Sequence, residues 1–247
     1  MEKRRPCEGP FESMVVLGES TVEGGGWLAK TEERWADVLR ALLETAQESA
    51  VRYHNAGLGA SVIAPSSPGY DASAKPSAAD RLDDEVIAHE PDLVVIAYGL
   101  NDMRAGMPVD DFRRELEALV RRIRAKLSPL IVLANVYHMP EYQHYPPFDR
   151  GSLEKTKQYN EMIRNVADKE ACAYADVWGA QGQRDYVVNP DTVHANKVGN
   201  MLIAHKVFEA IVHASPGLVD AVRARDEETE WTRGCRAAMS ALHETTN

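Results

Sequence analysis

The stretch Leu93-Val94-Val95-Ile96-Ala97-Tyr98-Gly99-Leu100-Asn101-Asp102 sets the fold. Its first six residues are an unbroken apolar run of strand length. A strand that does not alternate polar and apolar residues is buried on both faces. Such a strand needs a helical layer above and below it, so it belongs inside a parallel sheet. At Gly99 the run stops and a polar turn begins.

Outward from this strand the chain alternates in the same manner. Upstream, residues 14–17 form a short apolar run that ends at Gly18. Residues 32–46 carry Trp35, Val38, Leu39, Leu42 and Leu43 at helical spacing, 51–55 read as a second short strand, and 79–89 as a helix stopped by Pro91. Downstream come an amphipathic helix over 109–127, a buried strand over 130–136, a helix over 153–169, a strand over 171–177 and a helix over 196–213. Five strands alternating with helices predict an α/β fold with a mainly parallel five-stranded sheet, right-handed crossovers and helices on both faces. In such sheets the active site lies at the carboxyl ends of the strands. Residues 64–78 are rich in Pro, Ser, Gly and Ala and read as a surface loop, and 137–152 as a long loop of a length that often serves function. The expected organisation is one domain over 1–214 and a charged, partly helical extension over 215–247. That extension is expected to dock on the domain or on a second subunit in a homo-oligomer.

Composition narrows the function classes. The chain of 247 residues carries 38 acidic against 28 basic side chains, a net charge of −10, which disfavours nucleic acid as a partner. Arg113, Arg114, Arg121, Arg122, Arg124 and Lys126 are interleaved with acidic and apolar residues, as on the solvated face of a helix. Cys7, Cys172 and Cys235 are too few and too scattered for a disulfide framework or a zinc knuckle, and Cys172 reads as a packing thiol. Residues 1–6 are basic, but no apolar stretch follows them, and no window approaches a membrane span. A cytoplasmic protein without a membrane partner is the expectation.

Three short motifs carry chemistry. Gly18-Glu19-Ser20-Thr21 follows the first strand, and Ser20 there is either a nucleophile or a plain helix cap. Gly99-Leu100-Asn101-Asp102 follows the buried strand; Asn101 could aim its amide at developing negative charge, or serve only as a turn. Asp102 reads as a structural hydrogen-bonding residue of the turn. In Asp191-Thr192-Val193-His194 the spacing lets the carboxylate reach one ring nitrogen and leaves the other free to take a proton from a serine. Together these supply a nucleophile, a base with its orienter, and an oxyanion donor, the parts of an acyl-transfer site. His138 and His144 are six apart with Pro140 between them, which is poor ligand spacing, so no metal is expected. Trp27, after Gly24-Gly25-Gly26, either walls the pocket or anchors its loop.

The order of these motifs, with a Gly-containing segment after the second strand and His194-Ala195-Asn196-Lys197-Val198-Gly199 after the histidine, resembles the SGNH hydrolases, the group containing the GDSL esterases and lipases. The resemblance runs from about Met14 to His213. It implies a three-layer α/β/α sandwich of flavodoxin-like type with no cofactor. It implies Ser20 as nucleophile, His194 as base, Asp191 as orienter, and an oxyanion hole from the N–H of Ser20, the N–H of Gly59 and the Asn101 side chain. Two departures stand out. Glu19 replaces the usual Asp. In Asn55-Ala56-Gly57-Leu58-Gly59-Ala60-Ser61, Gly59 fits the expected donor only if the loop is one residue shorter; otherwise Ala60 takes the place, which a negative φ would permit. The implied activity is a serine esterase or acylhydrolase acting on a small-molecule ester, such as a short-chain or carbohydrate acyl ester, through an acyl-enzyme. An acyltransferase with the same triad and a catalytically silent binding module are the rival readings.

Overall fold

The computed structural model describes residues 9–142 and 144–245. Strands β1 (Ser13–Gly18), β2 (Arg52–Gly57), β3 (Leu93–Ala97), β4 (Leu130–Ala134) and β5 (Ala173–Ala175) form one sheet in the order β2-β1-β3-β4-β5. Every pairing is parallel, with Val16 opposite Asn55 on one side and Val95 on the other. This is the flavodoxin-like strand order, which reverses direction at β1 and opens a crevice beyond the carboxyl ends of β1 and β3. The apolar run at 93–97 does lie inside the sheet, and β1 is buried along its whole length.

The helices are α1 (Ser20–Glu23), α2 (Trp35–Gln47), α3 (Tyr70–Ser73), α4 (Ala78–Glu85), α5 (Leu100–Ala105), α6 (Val109–Lys126), α7 (Leu153–Lys169), α8 (Val177–Gln181), α9 (Lys197–Ala214), α10 (Pro216–Glu227) and α11 (Glu230–Thr245). α2 and α9 pack together on one face of the sheet, and α4, α6 and α7 on the other, giving three layers. The apolar stripes do this work: Trp35, Leu39 and Leu43 of α2 and Phe112, Leu116, Val120 and Ile123 of α6 are all buried. The basic side chains of α6 lie outside, where Arg113 and Arg121 pair with Glu117, and Arg121 also with Glu170.

Several boundaries differ from the sequence expectation for local reasons. The helix expected over 79–89 stops at Glu85 and resumes as a single 3-10 turn, Ile87–His89, before Glu90 turns left-handed at φ +46°. The last strand is shorter because Ala171 is left-handed at φ +49°, and Asp176 already caps α8 by accepting the Gly179 N–H. Residues 64–78 are not simply a surface loop. Ala64, Ser67 and Ser77 are buried there, and a Ser77–Asp80 capping box starts α4. Cys172 is only partly buried, though burial still pushes its thiol up to about 11. α10 rests on α2 and α9 with Leu218 buried, whereas α11 touches α10 and leaves Trp231 78% exposed. No helix among the described residues is long and apolar enough to cross a membrane.

Candidate active site

Ser20 opens α1 directly after β1, at the carboxyl end of the sheet. Its Oγ lies 2.9 Å from His194 Nε2. His194 Nδ1 lies 2.7 Å from Asp191 Oδ2, so the proton on that nitrogen faces the carboxylate and the Nε2 lone pair faces the serine hydroxyl. The other carboxylate oxygen of Asp191 accepts the backbone N–H groups of Val193 and His194, each at 2.9 Å. Asp191 thus builds the turn that carries its own histidine, a turn in which Thr192 is left-handed at φ +68°. A bridge between Val188 and Ala195 closes the loop, and Asn196 caps α9 behind it by accepting the N–H groups of Val198 and Gly199. The cap of α9 is therefore Asn196, and Asp191 is left to the turn and the imidazole.

Trp27 covers the imidazole. Its ring stacks on His194 with centroids 3.7 Å apart and planes 9° from parallel, and Asn189 ties the Trp27 carbonyl to the histidine loop. Burial holds the His194 pKa below its ordinary value, against the pull of Asp191. For Asp191 burial acts upward, but the N–H bonds from His194 and Val193 outweigh it and keep the carboxyl low. At neutral pH the pair is therefore a neutral imidazole beside a carboxylate.

Glu19, directly before Ser20, is 2% exposed. Its carboxylate accepts the N–H groups of Gly99 and Leu100 at 2.8 and 3.0 Å on one oxygen and that of Asn101 at 3.2 Å on the other. These are the unpaired donors at the start of α5. The residue before Ser20 thereby locks the turn that presents Asn101, with Gly99 free to adopt φ +125°. Burial and the neighbouring Asp102 raise the Glu19 pKa well above the carboxylate range, and the three N–H bonds oppose them. Asp102 is wholly buried, accepts the Ile63 N–H and is pushed up to about 7 by that burial. It ties the start of α5 to the chain at Ile63.

Asn101 is buried and donates one amide hydrogen to the Ser61 carbonyl at 3.0 Å; an amide has two. The Gly59 N–H, expected to be free, instead donates to the Glu23 carboxylate at 2.7 Å. Ala60 has φ +61°, not the negative value on which its candidacy was conditioned, a strain of about 1–2 kcal/mol for a residue with a Cβ. Its N–H donates to nothing among the described residues.

Sequence reasoning missed three neighbours of the site. Glu23 sits on α1 itself. Arg81, buried on α4, donates from one nitrogen to the carbonyls of Gly18 and Ala56 and to the Tyr98 hydroxyl, tying three strand ends. Arg104 is buried on α5 with Nε and Nη2 unpartnered. An apolar-face count gives no sign of a charged residue turned inward; the place of Arg81 directly after Asp80, four residues past the capping Ser77, was the one available hint. The His138 imidazole pairs with Asp185 at 2.8 Å, and no group of three His, Cys, Asp or Glu side chains among the described residues could hold a metal. A cavity of about 20 Å³ opens beside Glu19 and Thr21 and is lined also by Tyr98, Leu100, Val136 and Tyr137 among others.

The family model described as GDSL-like Lipase/Acylhydrolase family matches residues 16–202, a span that contains Ser20, Asn101, Asp191 and His194. No curated protein matches the chain. Among solved structures, an acetylxylan esterase from Geobacillus stearothermophilus superposes with a TM-score of 0.61 at 20% identity, covering 84% of this chain and 96% of its own. An α/β hydrolase enzyme from the metagenome of Lake Arreo, Spain, gives a TM-score of 0.62 at 20% identity, covering 81% and 94%. At such identity these likenesses speak for the fold. The family match spans most of the chain, and the chain belongs to the GDSL-like lipase/acylhydrolase family as a hydrolase acting on ester bonds.

Proposed function

We propose that this protein is a serine esterase that removes a short acyl group, acetyl above all, from a hydroxylated small molecule such as an acylated sugar. The observation that carries the reading is the continuous chain from Ser20 Oγ through the His194 ring to Asp191, at 2.9 and 2.7 Å. As the Ser20 oxygen attacks the ester carbonyl carbon, its proton passes to His194 Nε2, and Asp191 stabilises the resulting imidazolium. The tetrahedral oxyanion is received by the Ser20 N–H, the second amide hydrogen of Asn101 and an N–H of the 58–61 loop. His194 then protonates the departing alkoxide. Water, activated by the same histidine, attacks the acyl-enzyme and releases the acid. No metal or cofactor enters these steps.

The small acyl group is supported by the acetylxylan esterases of similar fold. Hydrolysis rather than transfer is the reading favoured by the match to an acylhydrolase family. The test is turnover of p-nitrophenyl acetate, butyrate and octanoate beside Ser20→Ala. The expected result is a steep fall from acetate to octanoate and loss of all three activities in the variant. Equal rates for wild type and Ser20→Ala would end the proposal.

A further inference from the structure

The loop Leu58–Gly59–Ala60–Ser61 is tied on both sides of one residue. On one side the Glu23 carboxylate, on the helix that begins with Ser20, accepts the Gly59 N–H at 2.7 Å. On the other, Asn101 donates to the Ser61 carbonyl at 3.0 Å. Between the two ties Ala60 is held at φ +61°, and its own N–H is spent on nothing among the described residues. Strain held by its surroundings beside a reactive group is a common mark of a positioned donor.

The seat of Glu23 is itself built. A Cβ on Gly57 would come within 2.0 Å of the Glu23 nitrogen, so the end of β2 lies directly against α1. Asn55 donates to the Val22 carbonyl and accepts the Gly57 N–H, and Arg34 holds the Glu23 carbonyl. A Cβ on Gly59 would be 2.7 Å from the Glu23 carboxylate and 3.9 Å from the Ser20 Cβ, which puts the tie beside the nucleophile.

We propose that Glu23 is a positioning residue of this site: by engaging the Gly59 N–H it fixes the loop so that the N–H of Ala60, not that of Gly59, completes the oxyanion hole. The inference rests on the esterase reading above. What Glu23 supplies is an acceptor oxygen rather than its charge; a carboxylate so close to a forming oxyanion repels it, and solvent screens that repulsion at this exposed position. An amide oxygen at the same place serves the tie equally well.

The experiment measures kcat and KM for p-nitrophenyl acetate in wild type, Glu23→Ala and Glu23→Gln, with a thermal melt of each and Ser20→Ala as the blank. Misplacing one donor without deleting it is expected to lower kcat about ten-fold in Glu23→Ala, below the 10²–10³ lost with a whole donor, at nearly constant KM and melting temperature. Glu23→Gln is expected to recover wild-type kcat. A Glu23→Ala variant as fast as wild type or faster overturns the proposal, and faster turnover in both variants marks Glu23 as a competitor of the oxyanion. A Glu23→Gln variant as slow as Glu23→Ala overturns the acceptor argument. Absence of Ser20-dependent turnover in the wild type would instead sink the esterase reading on which this one stands.

Discussion

The two halves of the site are held in opposite ways. The Ser20 turn is rooted in the interior and fixed at long range: Glu19, beside Ser20, reaches across to three N–H groups at 99–101, and Arg81 binds the strand ends from beneath. The histidine loop is half-exposed and fixed almost within itself: Asp191 satisfies the N–H groups two and three residues on and holds the ring of the same residue. Both halves use a carboxylate, yet burial drives that of Glu19 up in pKa while hydrogen bonding keeps that of Asp191 low. The first carboxylate is a brace for the sheet rim and the second an electrostatic partner for a proton transfer. Disrupting the first should therefore show in stability, and disrupting the second in rate.

The sharpest break of that contrast is Asp191→Asn. The side-chain oxygen that accepts the two N–H groups can remain, so the turn persists, but an amide facing Nδ1 favours the wrong tautomer. Loss of this kind costs about 10⁴ in kcat where a triad depends on it. The expected outcome is such a loss in p-nitrophenyl acetate turnover with a melting temperature within a few degrees of wild type. A large drop in melting temperature would mean that the carboxylate charge also braces the fold, and the contrast would fail.

The converse change is Glu19→Ala. It leaves three buried N–H groups at the start of α5 without an acceptor, at about 1–3 kcal/mol each. Urea unfolding at neutral pH should show a loss of about 3 kcal/mol or more, with Glu19→Gln losing less because one acceptor oxygen is retained. If Glu19→Ala unfolds at the wild-type urea concentration, the three bonds are not what fixes the rim.

The same contrast explains what the sequence disclosed. The strands at 14–17, 93–98 and 130–136 were legible because burial on both faces leaves unbroken apolar runs, and α6 because half-burial leaves a stripe. Ser20 and the Asp191–His194 turn were legible because each is a local pattern, and the resemblance rested on their order. Glu19 was visible only as a departure; that its longer reach spans to residue 101 depends on β1 and β3 being neighbours, which spacing does not encode. Ala60 was legible only as the alternative to Gly59; that the Gly59 N–H is taken up by Glu23 was hidden for the same reason. It turns on an exposed glutamate whose importance lies in what the loop beside it does. The edges of the sheet were misjudged most, since β2 and β5 are partly exposed and carry a weaker apolar signal.

The smallest and most discriminating change concerns a long-range contact of the histidine loop, the Trp27 stack. Two effects of that ring oppose each other. Covering His194 excludes water, which disfavours imidazolium and lowers its pKa; the π face attracts imidazolium and raises it. Burial is the largest influence on His194 and holds its pKa low, and the stacked Trp27 ring is part of that burial, so loss of the ring is expected to act mainly through water. The base must be neutral to accept the Ser20 proton, so activity falls as pH drops through a pKa below the ordinary 6.5. Removing the ring in Trp27→Ala admits water, so the acid limb of kcat/KM should move up, toward the ordinary histidine value. The plateau rate should fall no more than about ten-fold, because Asp191 still orients the ring. A shift of the acid limb to lower pH would show that the stack acts through its π face, and that the histidine loop leans on a distant residue for its charge as much as on Asp191.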